Sequence, residues 1–290
     1  MNADAGAALV DAAARVGLDG TRAELIRAGE NMLYRLPGGV VARVTREGQV
    51  AAAVKEVAVS HWLMGLGVPV VAALADVDQP VQVARRAVTF WRELPPHRPG
   101  SLTELADLLR LLHAVPPPPF ELAPLAPFVR LRERIEAAPL TADDRDWLLR
   151  RLTELRERYA DLPSGRPWCA VHGDAWRGNV AVTDAGPVLL DLERFAHGPP
   201  EWDLASVAVN YTTFGNISAD EWTDFCARYG QDVTTWPGFE VLRDIRELRK
   251  VTFALQLAGQ RADIAEQARY RLACIRGVQG PRPWSWRSVP

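Results

Sequence analysis

The chain has 290 residues, 48% hydrophobic and 24% charged, with a formal net charge of -2. That balance suits a globular protein of one large domain or two modest lobes, and it excludes a global basic field that would hold a nucleic-acid backbone. No apolar run is long enough to span a bilayer, the N-terminus lacks the pattern of a signal peptide, and Cys169, Cys226 and Cys274 form neither a disulfide framework nor a metal knuckle, so a cytoplasmic protein with no membrane partner is expected.

Residues 4–16 carry an Ala/Val/Leu face and predict a short helix. Segment 32–46 predicts a β-hairpin, two β-rich runs about Pro37-Gly38-Gly39, where glycine supplies the positive φ of such turns. A helix is expected from Val50 to Met64, closed by Gly65, and 68–74 and 84–91 read as strands. Prolines then block regular structure across 94–100, making this segment the candidate hinge between a first lobe, 1–93, and a second, 101–290. Ser101 caps the next helix, with Glu104 in capping-box spacing. Further helices are predicted at 128–137, 141–160 (opening at Thr141), 201–212, 219–229, 239–258 and 262–276. The Trp-rich tail PRPWSWRSVP reads as irregular and superficial. The order is a strand-rich first third, a hinge and a mostly helical remainder.

The segment WCAVHGDAWRGNVAVTDAGPVLLDLERFAHGPPEWDLA, 168–205, concentrates chemistry. An apolar strand delivers His172-Gly173-Asp174 at its end. A second pair of short strands flanks the turn Asp184-Ala185-Gly186. Asn179 and Asp191 are equidistant from Ala185, so a hairpin centred there sets them opposite one another, about 5 Å apart. An amide oxygen and a carboxylate so placed suit a hard cation such as Mg²⁺. Asp174, just before the hairpin, is left to orient and deprotonate an accepting hydroxyl, which is what phosphoryl transfer requires. His172 alone reads equally as a hydrogen-bonded structural histidine.

This block resembles the catalytic core of the aminoglycoside phosphotransferase family, small-molecule kinases with the protein-kinase-like fold. The family's His-Gly-Asp, four residues, Asn pattern is matched by His172, Gly173, Asp174 and Asn179. Its metal-binding Asp falls on Asp191, and its closing Gly-Pro and Asp-Leu-Ala on Gly198, Pro199, Asp203, Leu204 and Ala205. The resemblance covers roughly 25–280, with only 172–205 highly specific. It implies an α+β fold of two lobes, an N-terminal antiparallel sheet with one helix and a larger, mostly helical C-terminal lobe. It also implies an ATP- and Mg²⁺-dependent enzyme, a monomer or weak dimer, whose partner is a small-molecule hydroxyl acceptor rather than nucleic acid.

Residue by residue, the resemblance makes Asp174 the base and Asn179 and Asp191 the metal ligands. It makes His172 and Arg177 part of the catalytic loop, and Asp203 its brace through backbone amides. Arg43 stands where the family commonly has a phosphate-binding lysine, oriented by Glu56, while Lys55 reads as a solvated helix charge. The loop Gly29-Glu30-Asn31 covers phosphate, with Asn31 in contact, and the backbone of the segment VTFWREL, with Trp91 and Glu93, meets adenine. Arg177 reads equally as a γ-phosphate contact and as a surface ion pair. Glu193 lies two residues after Asp191 and points to the same side of an extended segment. With Glu201, and Asp244, Glu247 and Asp263 as further candidates, it suggests a cationic, aminoglycoside-like or other antibiotic acceptor. Pairing of Glu193 with Arg194 or Arg177 is the rival reading. A nucleotide-binding pseudokinase and a kinase of a neutral sugar or amino acid are the alternatives.

Overall fold

In a computed structural model that describes residues 3–29 and 31–287, the chain opens with α1 (Ala3–Arg15) and β1 (Glu24–Ala28). Glu30 lies outside the described residues, as do the last three of the tail. β2 (Met32–Leu36) then turns back on β3 (Val40–Val44) through Gly38 and Gly39, with φ of 86° and 72°, a region that strains any residue with a Cβ. After α2 (Val50–Gly65), β4 (Val81–Val83) and β5 (Arg86–Arg92) complete an antiparallel sheet in the order β1-β2-β3-β5-β4. α1 lays Ala5, Leu9, Ala12 and Ala13 into one core cluster with Tyr34, Leu36, Ala42, Val88 and Phe90. Those helix positions recur at the spacing that makes a single apolar stripe.

Segment 68–74 departs from the expected strand. Val70 bridges to Leu189 and Ala73 to Trp91, so its backbone changes partner after a few residues and no continuous ladder forms. Segment 94–100 is not devoid of structure either. Its β6 (Arg98–Pro99) is a two-residue edge strand, a place where proline's missing N–H is tolerated. α3 (Leu102–Leu112) follows, with the Ser101–Glu104 capping box formed.

The remaining elements are α4 (Leu131–Ala137), α5 (Ala142–Ala160), β7 (Cys169–Val171), β8 (Val180–Thr183), β9 (Gly186–Leu189), β10 (Ala196–Gly198), α6 (Glu201–Thr212), α7 (Ala219–Tyr229), α8 (Phe239–Ala258) and α9 (Ala265–Ile275). They are shared between two compact units. The first comprises the residues up to Glu121 with Arg177–Phe195; the second comprises Leu122–Trp176 with the residues from Ala196 on. The first therefore holds both the five-stranded sheet and the small sheet β6-β8-β9. The second pairs β10 with β7 and packs α4, α5, α6 and α9 against α8. Its tail is not superficial: Trp284 and Trp286 are buried, stacked on one another and beside Phe214. Their apolar area outweighs the irregular backbone that carries them.

Candidate active site

In the first unit, the β8–β9 hairpin pairs Val180 with Leu189 and Thr183 with Gly186. The turn is thus the two residues Asp184 and Ala185, the favoured tight connection, and its centre lies half a residue before the expected one. Asn179 consequently faces Leu190, whose N–H donates to the Asn179 carbonyl at 2.9 Å. Asp191 is the next residue along, not the direct cross-strand partner. It takes a left-handed conformation, φ 56° and ψ 69°, and leads into a 3-10 turn at Leu192–Arg194. Non-glycine residues hold such a backbone at a local cost, and they cluster at functional sites. Asn179 is buried and Asp191 exposed at the hairpin's open end.

Arg43, on β3, pairs with Glu56 of α2 and also with Glu193. The side-chain amide of Asn31 lies beside the same guanidinium; with its oxygen toward Arg43 it accepts from Nε at 3.0 Å. Glu56 is buried. Burial raises its carboxyl to about 7, with Asp191 and Glu193 adding to the rise and Arg43 opposing it. Glu193 is therefore engaged by Arg43, where Arg194 or Arg177 is the ion-pair partner expected from the sequence. Lys55 is not a solvated charge. It is half-buried, its Nζ donates to the Phe195 carbonyl at 2.8 Å, and burial lowers its pKa while Glu193 and Glu56 raise it. The polar terminus of a long helical side chain was read as solvent-facing because its partner is a backbone carbonyl 140 positions away, which no sequence pattern announces.

The side chains of Trp91 and Glu93, on the segment expected to meet adenine through its backbone, are engaged within the protein. Trp91 packs its indole with Val57 and Ala73 and donates Nε1 to Thr89 at 2.8 Å. Glu93 gives its N–H to the Gly39 carbonyl at 2.8 Å and its carboxylate to Arg35 at 2.6 Å. Neither offers a free side chain to a base, because β5 inserts the first into the core and turns the second to an exposed cation. Arg177 is exposed at the start of the turn Arg177–Asn179.

In the second unit, β7 ends at a loop fixed from beneath. Asp203, fully buried on α6, accepts from the His172 N–H at 2.6 Å and the Gly173 N–H at 2.9 Å. Trp202 Nε1 donates to the Gly173 carbonyl at 3.0 Å, and the Asp174 N–H points to His172 Nδ1 at 3.3 Å. His172 is wholly buried, whereas the Asp174 side chain is 46% exposed. Arg246 of α8 stands 3.5 Å from Asp174, donates to the carbonyls of Gly173 and Trp202, and covers the Trp202 ring at 4.0 Å. Sequence reasoning missed Arg246. Its only signal is a position among several arginines on an amphipathic helix, indistinguishable from a surface charge.

The carboxylates expected to face an acceptor are committed elsewhere. Glu201 is fully buried and accepts from the Arg166 N–H at 2.7 Å. Asp244 and Glu247, also buried, pair with Arg151 and Arg282 at 2.6 Å each. Asp263 pairs with Arg261 on the surface. Asp244 and Glu247 read as free in a sequence because Arg151 and Arg282 sit on distant segments.

The residues present suit a divalent cation held together with phosphates. Asp191 and Glu193 act on Glu56 against Arg43, and Lys55 stands among Glu193, Glu56 and Arg194. One carboxylate and one amide oxygen, Asp191 and Asn179, form the sparse oxygen set that Mg²⁺ uses when phosphates and water complete its shell. Among the described residues, no group of three His, Cys, Asp or Glu would hold a metal unaided, and no helix is long and apolar enough to cross a membrane.

Comparison with known proteins agrees with this chemistry. A family model described as "Phosphotransferase enzyme family" matches residues 29–245. Ketosamine-3-kinase of Mus musculus is 36% identical over 70 residues, which are 24% of this chain and 20% of that protein; the match thus spans about a fifth of that relative's length. An amicoumacin kinase solved with AMP-PNP, Ca²⁺ and Ami superposes with a TM-score of 0.71 at 14% identity, covering 97% of each chain. A choline/ethanolamine kinase family protein from Mesorhizobium loti superposes with a TM-score of 0.67 at 19% identity, covering 96% of this chain and 94% of the other. The shared architecture is the α+β, protein-kinase-like fold of small-molecule kinases, with an N-terminal antiparallel sheet and a helical C-terminal part.

Proposed function

The chain belongs to the phosphotransferase enzyme family, and on that premise we propose that this small-molecule kinase uses ATP and Mg²⁺ to phosphorylate a hydroxyl group. The observation that carries the reading is the braced loop after β7. Two backbone amides are tied to Asp203 while the next residue, Asp174, is left with a half-exposed carboxylate. A general base needs that combination of fixed position and access. In this reading Asp174 orients the hydroxyl and takes its proton. Arg43, held by Glu56 with Asn31 beside it, binds phosphate, and Lys55 adds a second positive charge. Asn179 and Asp191 hold the metal. Bound Mg²⁺-ATP would supply the transferable phosphoryl group, with the metal offsetting the charge of the phosphates. The trp-lined segment ending at Glu93 contributes through its backbone.

An antibiotic acceptor, as in the amicoumacin kinase, is one form of this reading. Its cationic, aminoglycoside-like version rested on Glu193 and Glu201, and both are engaged by groups of this chain. The test is ADP release from ATP with Mg²⁺ or with EDTA, across an acceptor panel, for the wild type and Asp174→Asn. Metal- and acceptor-dependent release that the variant loses supports the kinase. Nucleotide binding with no release under any condition would instead identify a regulatory nucleotide binder.

A further inference from the structure

Helix α8 separates its charges. Asp244 and Glu247 are buried and paired with Arg151 and Arg282, and Glu247 also accepts from the Thr213 hydroxyl at 2.7 Å. Arg246, Arg249 and Lys250, at i, i+3 and i+4, share a different face of the helix. Arg246 is the guanidinium 3.5 Å from Asp174. Arg249 donates to the Pro127 carbonyl at 2.8 Å and lies 5.8 Å from the Trp202 ring centre. Lys250 reaches the surface, but its ammonium is set among other groups: burial lowers its pKa most, the Asp174 carboxylate raises it, and the guanidiniums of Arg246, Arg271 and Arg249 lower it further. Arg271 is buried and donates to the carbonyls of Lys250 and Arg287, which carry no formal charge.

The carboxylate assigned as the base therefore stands in a strongly positive neighbourhood within its own unit. Like charge repels an amine brought to this surface, whereas a carboxylate, sulfate or phosphate ester is drawn to it. Arginine and lysine are also the side chains that bind such anions through charge-assisted hydrogen bonds. We propose that the acceptor is a hydroxy compound bearing an anionic group, which Lys250 holds, with Arg246 behind it adding to the positive field, while its hydroxyl meets Asp174. The inference rests on the kinase reading and narrows its acceptor. The acceptor it names carries the opposite charge to the cationic one expected from the sequence, because Lys250 reaches the surface beside Asp174 whereas Glu201, Asp244 and Glu247 are buried.

The experiment uses the full chain with ATP and Mg²⁺ and matched sets of hydroxyl compounds, each an acid, its amide and its amine on one carbon skeleton. ADP release should be confined to, or strongest with, the acids. Lys250→Gln should raise the KM of the best acid roughly tenfold, the loss of one charge-assisted contact, and Lys250→Glu should raise it further, both leaving the KM for ATP unchanged. Lys250 is exposed, so neither change threatens folding, and nucleotide binding by both variants checks it. A better amine or amide, no acid accepted, or an acid KM indifferent to Lys250→Glu overturns the proposal. Turnover of an amine would do so while leaving the kinase reading intact. Failure of the wild type to bind ATP at all would remove the kinase reading itself.

Discussion

Asp174 has the exposure of a reacting group and the surroundings of a fixed one. Asp174→Asn keeps the shape and removes the basicity, so turnover should fall by about 10²–10⁴-fold while the dissociation constant for Mg²⁺-ATP stays within about twofold of wild type. Single-turnover transfer and nucleotide titration measure the two quantities; retention of near-normal transfer would take Asp174 out of the chemistry. Glu56 offers a different test. Its carboxyl ordinarily titrates at 4.5 and is raised by burial to about 7 in the folded chain. The folded state thus keeps a proton that the unfolded state releases. The associated stability is complete below the unfolded value, declines as pH rises above it, and is gone once pH passes the folded value. Urea midpoints of the nucleotide-free protein in EDTA should therefore drop from about pH 5 to about pH 8, and Glu56→Gln should flatten the trend. Parallel curves for the two proteins would contradict the buried, proton-holding carboxyl. At this scale a spacing pattern singles out Asp174, Asp203, Asn179 and Asp191 in the sequence, and the expected tie of Asp203 to backbone amides is seen. Arg246 and the true partner of Glu193 were hidden, since ion pairs between segments far apart in the chain leave no local trace.

Elements with their own end signals were the readable ones. Ser101 with Glu104 and Ser218 with Glu221 form complete capping boxes, and Thr141 accepts from Asp144, so α3, α7 and α5 begin where the sequence places them. β1 has no such signal. All five of its residues are exposed, so the alternation that marks a half-buried strand is missing. The hairpin register slipped by one for a related reason: Asp184-Ala185-Gly186 admits either a two- or a three-residue turn, and only pairing decides. β6 was obscured by its prolines, yet it packs tightly. A Cβ added at Gly100 would lie 2.5 Å from the Cβ and Cγ1 of Val180 on β8, and the Gly100 N–H donates to the Val180 carbonyl at 2.9 Å. Gly100→Ala must spread these strands, at a cost of about 1–3 kcal/mol. Chemical denaturation against wild type measures it, and an unchanged midpoint with an unchanged slope would show that the contact is loose.

At the scale of the whole molecule, composition excluded a nucleic-acid scaffold but was silent on how the chain's end is used. The tail closes the second unit. Trp284 donates its N–H to the Thr213 carbonyl at 2.6 Å, and Arg282 pairs with Glu247 at 2.6 Å and covers the Trp284 ring at 4.5 Å. Trp286→Ala should cost about 3–5 kcal/mol, as large-to-small changes in cores do, and lower the thermal midpoint by several degrees. An effect under about 0.5 kcal/mol, normal for a surface site, would return the tail to the surface. On the proposal above, the acceptor is illegible in the sequence for a physical reason: it would be selected by the sum of charges on helices whose individual residues look ordinary. The division of the chain has a further consequence, in time rather than in space. The first unit takes residues up to Glu121 and then Arg177–Phe195, with a long stretch of the second between them. During synthesis its five-stranded sheet emerges early, but the hairpin bearing Asn179 and Asp191 follows only after Leu122–Trp176 has left the ribosome. At about 5–20 residues per second β6 waits several seconds for β8 and β9, its partners in the small sheet, so a nascent chain should carry Arg43 in a formed sheet well before it carries Asn179 and Asp191.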